Sequence, residues 1–472
     1  MNHGRNSEAS TGRASAPGRK VGRRLGVILG VVIAIAVASA LANSLWPATV
    51  APVRYPLRWT PLAGSTHRNE PDRGVPSGRI SPATWLGRGK TLWLFGGYGL
   101  SGNDKPRYLD DLWSYNLRRK RWRLWAKGPP SQGRGKRPAA YPLGRVASMT
   151  WKGVHGTFWM FGGFGETRGG IANGLQDLWR FDAANHRWTR VGGSLVGNVP
   201  GRYGTHARSG PRTWPGARSG GATWTGHRGH LWLFGGYGDG AGHRAGWLND
   251  LWRYNPARNR WTWVSGSRHI DRPGRYGTKG RGGRRTTPGG RNGSVSWVGP
   301  HGNLWLFGGY GYGANPSRHG PLNDLWEFQV RDRKWIWQGG SRRVSAPLEP
   351  SGPHEGPGGL GEGFFWPGRR AVVVFSGFGD DVHDKPGYLD SLWAYHPRRK
   401  AWVWLGGGAR RTAGCCVNSG QRPGAAVPGA AGGGASWQTS RHLFLFGGYG
   451  LDAAGNVGYL NRLWEAPRPR LR

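Results

Sequence analysis

The sequence contains few cysteines, few methionines and few acidic residues. Its 472 residues include 2 Cys, 3 Met and 24 Asp plus Glu. Two cysteines cannot form the disulfide framework of a small secreted scaffold. No segment after residue 54 has the periodicity of an amphipathic helix. There is also no phosphate-binding glycine loop, and no nucleophile is paired with a base at a defensible spacing. These absences exclude a disulfide-stapled scaffold, a helical fold and a P-loop nucleotide-binding protein.

Glycine, proline and tryptophan are abundant instead, with 87 Gly, 33 Pro and 29 Trp. So much glycine and proline without a pattern would indicate disorder. Disordered chains are poor in aromatic residues, however, and here the tryptophans recur at regular places. Many short strands joined by tight turns explain both features.

The chain is strongly basic, with 67 Lys plus Arg and a formal net charge of +43. Such a charge attracts anionic partners: acidic glycans, acidic peptides or proteins, phosphate, anionic lipid or nucleic acid. Nucleic acid is the less favoured partner, because the arginines are dispersed through predicted loops and do not form a basic run or helix. Alternatively, the charge suits an unusual external medium and no particular ligand.

The N-terminal region predicts export. A basic tail (1–24) precedes eighteen uncharged, apolar residues (25–42), and a linker (43–54) follows. The length of the apolar run is at the lower limit for a helix that spans a bilayer. Small residues near Ala40–Asn43 offer a cleavage site. Segment 25–42 is therefore either a membrane anchor or a removed signal peptide. Both alternatives place the remainder of the chain in the periplasm or outside the cell.

A repeat occupies residues 55–472. The motif LWLFGGYG or a close variant recurs six times at intervals of 66 to 73 residues. One Trp lies nine or ten residues before the central Phe, a second lies 18 or 19 after it, and a third follows nine later in five units. Each landmark lies in a short apolar or alternating segment typical of a β-strand. The six central phenylalanines are Phe95, Phe161, Phe234, Phe307, Phe375 and Phe446.

The Gly-Gly pair followed by an aromatic residue seven positions before a Trp resembles the Kelch repeat. Examples are Gly96–Gly97 with Tyr115 and Trp122, and Gly235–Gly236 with Tyr254 and Trp261. The resemblance is to the galactose-oxidase-like propeller of bacterial exported proteins. It implies an all-β, six-bladed propeller with four strands per blade, although about 50 residues per repeat is usual.

The last repeat lacks its third Trp, because nine residues after Trp464 the chain has ended. Residues 56–64, PLRWTPLAG, match the third-Trp segment RNRWTWVSG of another unit. Trp59 stands where the third Trp belongs. We therefore predict that this N-terminal segment completes the last blade and closes the ring.

Four arginines precede the first Trp of their units by six residues: Arg79, Arg145, Arg218 and Arg291. Leu360 and Ala431 occupy this position in the fifth and sixth units. In a Kelch-like propeller this position borders the central channel, so the resemblance implies four guanidiniums that bind an anion at its mouth. The alternative is structural: each Arg ties its strand to a loop carbonyl or an acid. An Asp likewise recurs before the second Trp in these four units, which suggests a turn or an inter-blade hydrogen bond.

The long loops between units are expected at the same mouth. They include a repeated GRYGT at 201–205 and 274–278, which is either part of a binding surface or a turn packed on its own blade. Cys415 and Cys416 form a vicinal disulfide or remain thiols. We predict no metal or cofactor and favour a binding module. The alternatives are a sugar-directed enzyme (an oxidase or an epimerase) and a structural cell-envelope protein.

Overall fold

A computed structural model describes residues 57–69, 74–101, 105–126, 141–167, 169–346, 356–368, 371–381, 383, 385–408 and 427–469. These belong to one compact unit, Thr49–Arg472. Segment 25–42, Cys415 and Cys416 lie outside the described residues. Within the described ranges, no helix is long and apolar enough to cross a membrane.

The described residues form 32 β-strands, and their only helical segments are four single 3-10 turns. Strand β1 is Thr60–Ala63. The first repeat contains β2 (Arg79–Ile80), β3 (Ala83–Leu86), β4 (Thr91–Ser101), β5 (Lys105–Asn116) and β6 (Arg121–Ala126). The second contains β7 (Arg145–Val146), β8 (Met149–Lys152), β9 (Thr157–Glu166), β10 (Ala172–Asp182) and β11 (Arg187–Gly192). The third contains β12 (Arg218–Ser219), β13 (Ala222–Thr225), β14 (Leu231–Asp239), β15 (Ala245–Asn255) and β16 (Arg260–Ser265).

The second half of the chain repeats this order. The fourth repeat contains β17 (Arg291–Asn292), β18 (Val295–Val298), β19 (Leu304–Tyr312), β20 (His319–Gln329) and β21 (Lys334–Gly339). The fifth contains β22 (Leu360–Gly361), β23 (Phe364–Pro367), β24 (Val372–Asp380), β25 (Pro386–His396) and β26 (Ala401–Gly406). The sixth contains β27 (Ala431–Gly432), β28 (Ala435–Gln438), β29 (His442–Phe446), β30 (Tyr449–Leu451), β31 (Val457–Tyr459) and β32 (Leu463–Pro467).

Each of the first five repeats is an antiparallel sheet whose innermost strand is interrupted once. In the first repeat, β2 and β3 both pair with β4, which pairs with β5, and β5 pairs with β6. The chain is therefore all-β and has the propeller architecture that the sequence predicts. The Gly-Gly pair lies where the register of β4 and β5 shifts. Gly97 has φ +104°, and a Cβ there would lie 2.8 Å from the carbonyl oxygen of Ile80, so only glycine fits.

The third Trp of each repeat packs on the central Phe of the preceding repeat. The ring centroids of Trp188 and Phe95 are 5.1 Å apart, and those of Trp122 and Phe446 are 5.3 Å apart. Trp59 makes the equivalent contact with Phe375 at 5.9 Å. Hydrophobic cores thus lie between neighbouring sheets, and Trp59 supplies the tryptophan that the sixth repeat lacks.

The two ends of the repeat region meet in one sheet. Strand β1 pairs antiparallel with β32, with Thr60 opposite Glu465 and Pro61 opposite Trp464. The indole Nε1 of Trp437 also donates to the carbonyl oxygen of Trp93, which joins the sixth repeat to the first. The prediction that the N-terminal segment completes the last sheet is confirmed.

Six backbone hydrogen bonds form a closed ring at the interruption of the innermost strands. Each repeat contributes one residue, whose N–H donates to the preceding repeat and whose C=O accepts from the next, over distances of 2.5 to 3.0 Å. All six residues have positive φ: Ser81, Ala147, Gly220, Gly293, Glu362 and Gly433. We call these residues the central ring.

Candidate binding surfaces

The four predicted arginines are buried, and each forms an ion pair within its own repeat. In the third repeat, Arg218 Nη1 lies 2.6 Å from Oδ1 of Asp250, and Nη2 lies 2.8 Å from Oδ2. Arg218 also donates to the carbonyl oxygens of Gly216 and Gly235. Burial lowers the pKa of Arg218, but the Asp250 carboxylate more than offsets this, so the net shift is upward. The other pairs are Arg79 with Asp111, Arg145 with Asp177, and Arg291 with Asp324.

These contacts are those of the structural alternative, because each guanidinium is held by an acid and by carbonyl groups. Arg79 and Arg218 have no exposed surface, and Arg291 is 1 % exposed. Anion binding by the four arginines stays a prediction. The recurrent aspartates accept hydrogen bonds inside each sheet, which refines the expectation of a turn or an inter-blade bond.

The sequence carries a signal for these ion pairs in the two repeats that lack the Arg. The two repeats without the Arg also lack the Asp: Leu360 goes with Ser391, and Ala431 goes with Arg462. Joint loss of two opposite charges is expected when each compensates the other in a buried place, because one charge left alone there is costly. Nothing comparable would be required of four arginines that face water.

The tyrosine of each GRYGT motif is part of the same network. Tyr203 donates its hydroxyl to Oδ2 of Asp250 over 2.6 Å, and Tyr276 donates to Oδ2 of Asp324 over 2.7 Å. Burial and then the neighbouring aspartate raise the pKa of both hydroxyls well above their usual range. The motif is therefore a packed turn, and its tyrosine anchors the loop to the sheet of the following repeat.

The loops that contain GRYGT turn away from the channel and cover the outer edge of the next sheet. We call residues 199–217 and 272–290 the two basic loops. In the first, Ala207 N donates to the carbonyl oxygen of Trp263, and Ser209 forms a β-bridge with Thr262 in β16. In the second, Gly280 N donates to Trp337, next to a bridge between Gly282 and Ile336 in β21. The loops therefore extend to the flank of the propeller, farther from its axis than expected.

Each basic loop presents exposed arginines. Three arginines of each loop are equivalent, and both loops contain no acidic residue. The equivalent, exposed arginines are Arg202 and Arg275, Arg208 and Arg281, and Arg212 and Arg285.

Aromatic side chains of the first, fifth and sixth repeats lie next to the central ring. Tyr98 lies opposite Ile80, next to Ser81 of the ring, and Tyr449 lies opposite Gly432, next to Gly433. Rings of the first, fifth and sixth repeats contact one another in sequence, with centroid distances of 5.0 to 6.2 Å. We call these residues the tyrosine sector: Tyr98, Tyr108, Tyr388, Tyr449 and Tyr459. Two positions of this sector recur in the sequence: the aromatic residue of GGYG, and the tyrosine five residues before the second Trp of the first, fifth and sixth repeats.

No group of three or more His, Cys, Asp or Glu side chains comes together as a metal site in the described ranges. In the acidic stretch GDDVHD (379–384), Oδ1 of Asp381 accepts hydrogen bonds from the backbone N–H groups of His383 and Lys385.

A comparison with family models agrees with this architecture. Residues 61–279 match the KLHDC2/KLHL20/DRC7 Kelch-repeats domain. Residues 61–279 are therefore similar to a domain of Kelch repeats. The match covers less than half of the chain, but repeats four to six keep the strands and the tryptophan packing of the matched Kelch repeats. The exported, galactose-oxidase-like type remains a prediction.

Proposed function

We propose that this Kelch propeller is a protein-interaction module whose partner presents an acidic segment to the two basic loops. The exposed arginines of these loops carry the proposal. Repeat architectures present loops on a rigid scaffold, which is where binding residues concentrate. Arginine suits an acidic partner, because its planar guanidinium forms two parallel hydrogen bonds with a carboxylate.

The loops hold these arginines on a defined backbone. Arg202 and Trp214 exchange backbone hydrogen bonds of 2.8 and 2.9 Å, and Arg275 and Thr287 exchange bonds of 2.8 and 3.0 Å. Each loop is thus a hairpin, pinned by its buried tyrosine and by its bridge to the neighbouring edge strand. The guanidiniums keep a repeated spacing on two adjacent sheets, and a fixed arrangement lowers the entropy lost on binding.

Protection of a sheet edge is the plainer explanation of these loops. Backbone contacts alone provide that protection, since Ser209 and Gly282 form the bridges and neither is charged. Edge protection therefore does not require equivalent arginines at three positions. Binding of an acidic partner does require exposed arginines such as these.

The test compares two variants that remove four positive charges each. The loop variant replaces Arg208, Arg212, Arg281 and Arg285 with Gln. The control replaces Arg118, Arg119, Lys120 and Arg121, which are equally exposed in the turn before and at the start of β6. Binding of poly-L-glutamate and of heparin to the full-length protein is measured by calorimetry at several salt concentrations.

We expect the loop variant to bind poly-L-glutamate about tenfold more weakly or worse, and the control to stay within about twofold of the parent. Equal losses in both variants would show that net charge alone attracts the polymer, which would overturn the proposal. Heparin binding that depends on the loops while poly-L-glutamate binding does not would assign the site to an acidic glycan and refute a protein partner.

Export through residues 25–42 is also part of this proposal, and its support is the basic tail followed by an uncharged apolar run. Cell fractionation with an N-terminal sequence of the mature chain tests it. Recovery of the intact protein from the cytoplasm would refute export. An N-terminus near Asn43 would identify a cleaved signal peptide, and an intact chain in the membrane fraction would identify an anchor.

A further inference from the structure

One residue of the central ring differs from the other five. The ring residue is Ser, Ala or Gly in each of the first four repeats, and it is Gly433 in the sixth. The fifth repeat has Glu362, with φ +59°. Left-handed backbone is unfavourable for a residue with a side chain, and glutamate has no local hydrogen bond that favours it, as asparagine or aspartate would. Ser81 and Ala147 share this conformation, so the long, charged side chain is what distinguishes Glu362.

The Glu362 side chain lies among its neighbours in the ring. Its Cγ would be 3.2 Å from a Cβ built on Gly293, and its Oε2 would be 3.2 Å from a Cβ built on Gly433. That same Gly433 position is 3.2 Å from Oγ of Ser81. The carboxylate therefore points along the ring toward the sixth and first repeats, where a small hydroxyl faces it.

The carboxylate of Glu362 accepts no hydrogen bond and forms no ion pair with any described residue, although its backbone N–H and C=O complete the ring. Burial raises its pKa above the ordinary value, because the surrounding protein disfavours the charged form. The side chain still keeps partial exposure, as expected on the wall of an axial opening. The half-buried carboxylate therefore has no partner within the described protein.

Among the described residues, no arginine forms an ion pair with Glu362, although Arg68 lies close enough to Tyr449 for its charge to oppose the rise in the pKa of that hydroxyl. The fifth and sixth repeats are the two without the buried Arg–Asp pair. The only basic residue at these positions, Arg462, lies with its Cζ 4.6 Å from the ring centroid of Trp464. Of the two repeats that the carboxylate points toward, the sixth has no internal guanidinium, and in the first Arg79 is already paired with Asp111.

The tyrosine sector lies over the same three repeats. The pKa of the Tyr388 hydroxyl is raised first by burial and then by the negative charge of Glu362. None of the five tyrosine hydroxyls is hydrogen-bonded to another described residue. Tyr98, Tyr449 and Tyr459 are partly exposed, so ring faces and hydroxyl groups remain available beside the carboxylate.

We propose that Glu362, Ser81 and the tyrosine sector form a binding site for an organic cation, a primary ammonium or guanidinium group. Such a group donates to one carboxylate and to hydroxyls, and its charge is attracted to aromatic faces. A divalent metal ion fits less well, because it requires several anionic or carbonyl oxygens. The cation is either a free amine or a lysine or arginine side chain of a partner protein. This site is separate from the basic loops and does not rest on the proposed function.

The experiment titrates full-length protein with n-butylammonium and n-butylguanidinium, followed by calorimetry and by saturation transfer to the ligand in NMR. Neutral n-butanol and Mg²⁺ serve as comparison ligands, and the tripeptide Gly-Lys-Gly represents a partner side chain. The variants are Glu362→Gln and Glu362→Gly. Asp332→Asn removes an equal charge from an exposed turn and is the matched control.

We expect both Glu362 variants to lose at least tenfold in affinity for the cations, and D332N to retain the parental affinity. Glu362→Gly should also raise the melting temperature, because glycine adopts this backbone without strain and removes the unpaired acid. Parental binding should strengthen as the pH rises from the ordinary glutamate pKa through the raised pKa of Glu362, and binding by E362Q should not.

Several results would overturn the proposal. They are parental protein that binds neither cation, n-butanol binding as tight as that of n-butylammonium, tighter binding of Mg²⁺, or unchanged affinity in a folded E362Q variant. A fall in the melting temperature of Glu362→Gly would show that Glu362 stabilises the fold and is not a ligand-binding residue. Preference for Gly-Lys-Gly over n-butylammonium would assign the site to a partner side chain, and the reverse would assign it to a free amine. Loss of poly-L-glutamate binding in the basic loops leaves these outcomes unaffected.

Discussion

Asp250 accepts four hydrogen bonds in the interior of the third repeat. Two come from Arg218, one from the indole of Trp252 and one from the hydroxyl of Tyr203. The carboxylate is fully buried, so each donor replaces a lost water molecule. Removal of one charge from such a pair costs about 3–5 kcal/mol, whereas replacement of both by smaller or apolar groups is often neutral.

The fifth repeat supplies the replacement, since it has Leu360 and Ser391 at the two positions. We expect Arg218→Leu alone to lower the free energy of unfolding by about 3–5 kcal/mol, because it leaves Asp250 charged and buried. The double variant Arg218→Leu, Asp250→Ser should recover more than half of that loss. Urea unfolding followed by tryptophan fluorescence measures both.

Arg208→Leu, at an exposed position in the first basic loop, is the control and should have little effect. If the double variant were as unstable as Arg218→Leu, or less stable, the ion pair would contribute more than charge compensation, and the equivalence of the repeats would be refuted.

At the scale of elements, each basic loop is attached to its sheet by one tyrosine hydroxyl and a short backbone bridge. Tyr203→Phe and Tyr276→Phe keep the ring and remove the hydroxyl. We expect each change to lower the free energy of unfolding by about 1–2 kcal/mol, because Asp250 or Asp324 loses a donor in a buried place. Amide hydrogen exchange at Arg202 and Trp214, or at Arg275 and Thr287, should accelerate in the corresponding loop.

Tyr237→Phe serves as the control, because its hydroxyl has no hydrogen bond to another described residue. Faster exchange spread over all repeats would indicate global destabilisation and would contradict a local anchor. Unchanged exchange in both loops would show that the edge bridges hold them without the tyrosines.

The strands were predictable from the sequence because their cause is local. A run such as LWLF is apolar on both faces, and Gly96–Gly97 shifts the register of β4 against β5 with left-handed backbone that favours glycine. Trp59 was placed correctly because a gap in one repeat matched an unpaired segment elsewhere. The surroundings of Arg218 were not predictable from spacing alone. Whether that guanidinium faces water or Asp250 depends on strand pairing across 32 residues, which the spacing does not report. The directions of the long loops likewise depend on tertiary contacts.

At the scale of the molecule, closure uses contacts at several distances from the axis. The central ring joins all six repeats by backbone hydrogen bonds, and Trp59 closes the outer core between the fifth and sixth. We expect Trp59→Ala to lower the free energy of unfolding of the propeller by about 3–5 kcal/mol, as for other buried tryptophans. Deletion of residues 57–64 should cost more, since β32 then becomes an uncovered edge.

Trp404→Ala is the matched control, because Trp404 is 39 % exposed on the outer strand of the fifth repeat. Thermal unfolding by circular dichroism compares the three proteins. A loss no greater than that of Trp404→Ala would mean that the N-terminal strand adds little to closure.

The pairing of β1 with β32 also determines when the protein can first be complete. Ser65 and Asn461, which are hydrogen-bonded beside this junction, are 396 residues apart. At about 5–20 residues per second, a ribosome needs about 20–80 s to synthesise the intervening chain. For that whole interval β1 has no partner strand, and the sheets already formed keep an open side. The newly made chain is therefore vulnerable to aggregation for a time fixed by translation, however stable the finished ring becomes.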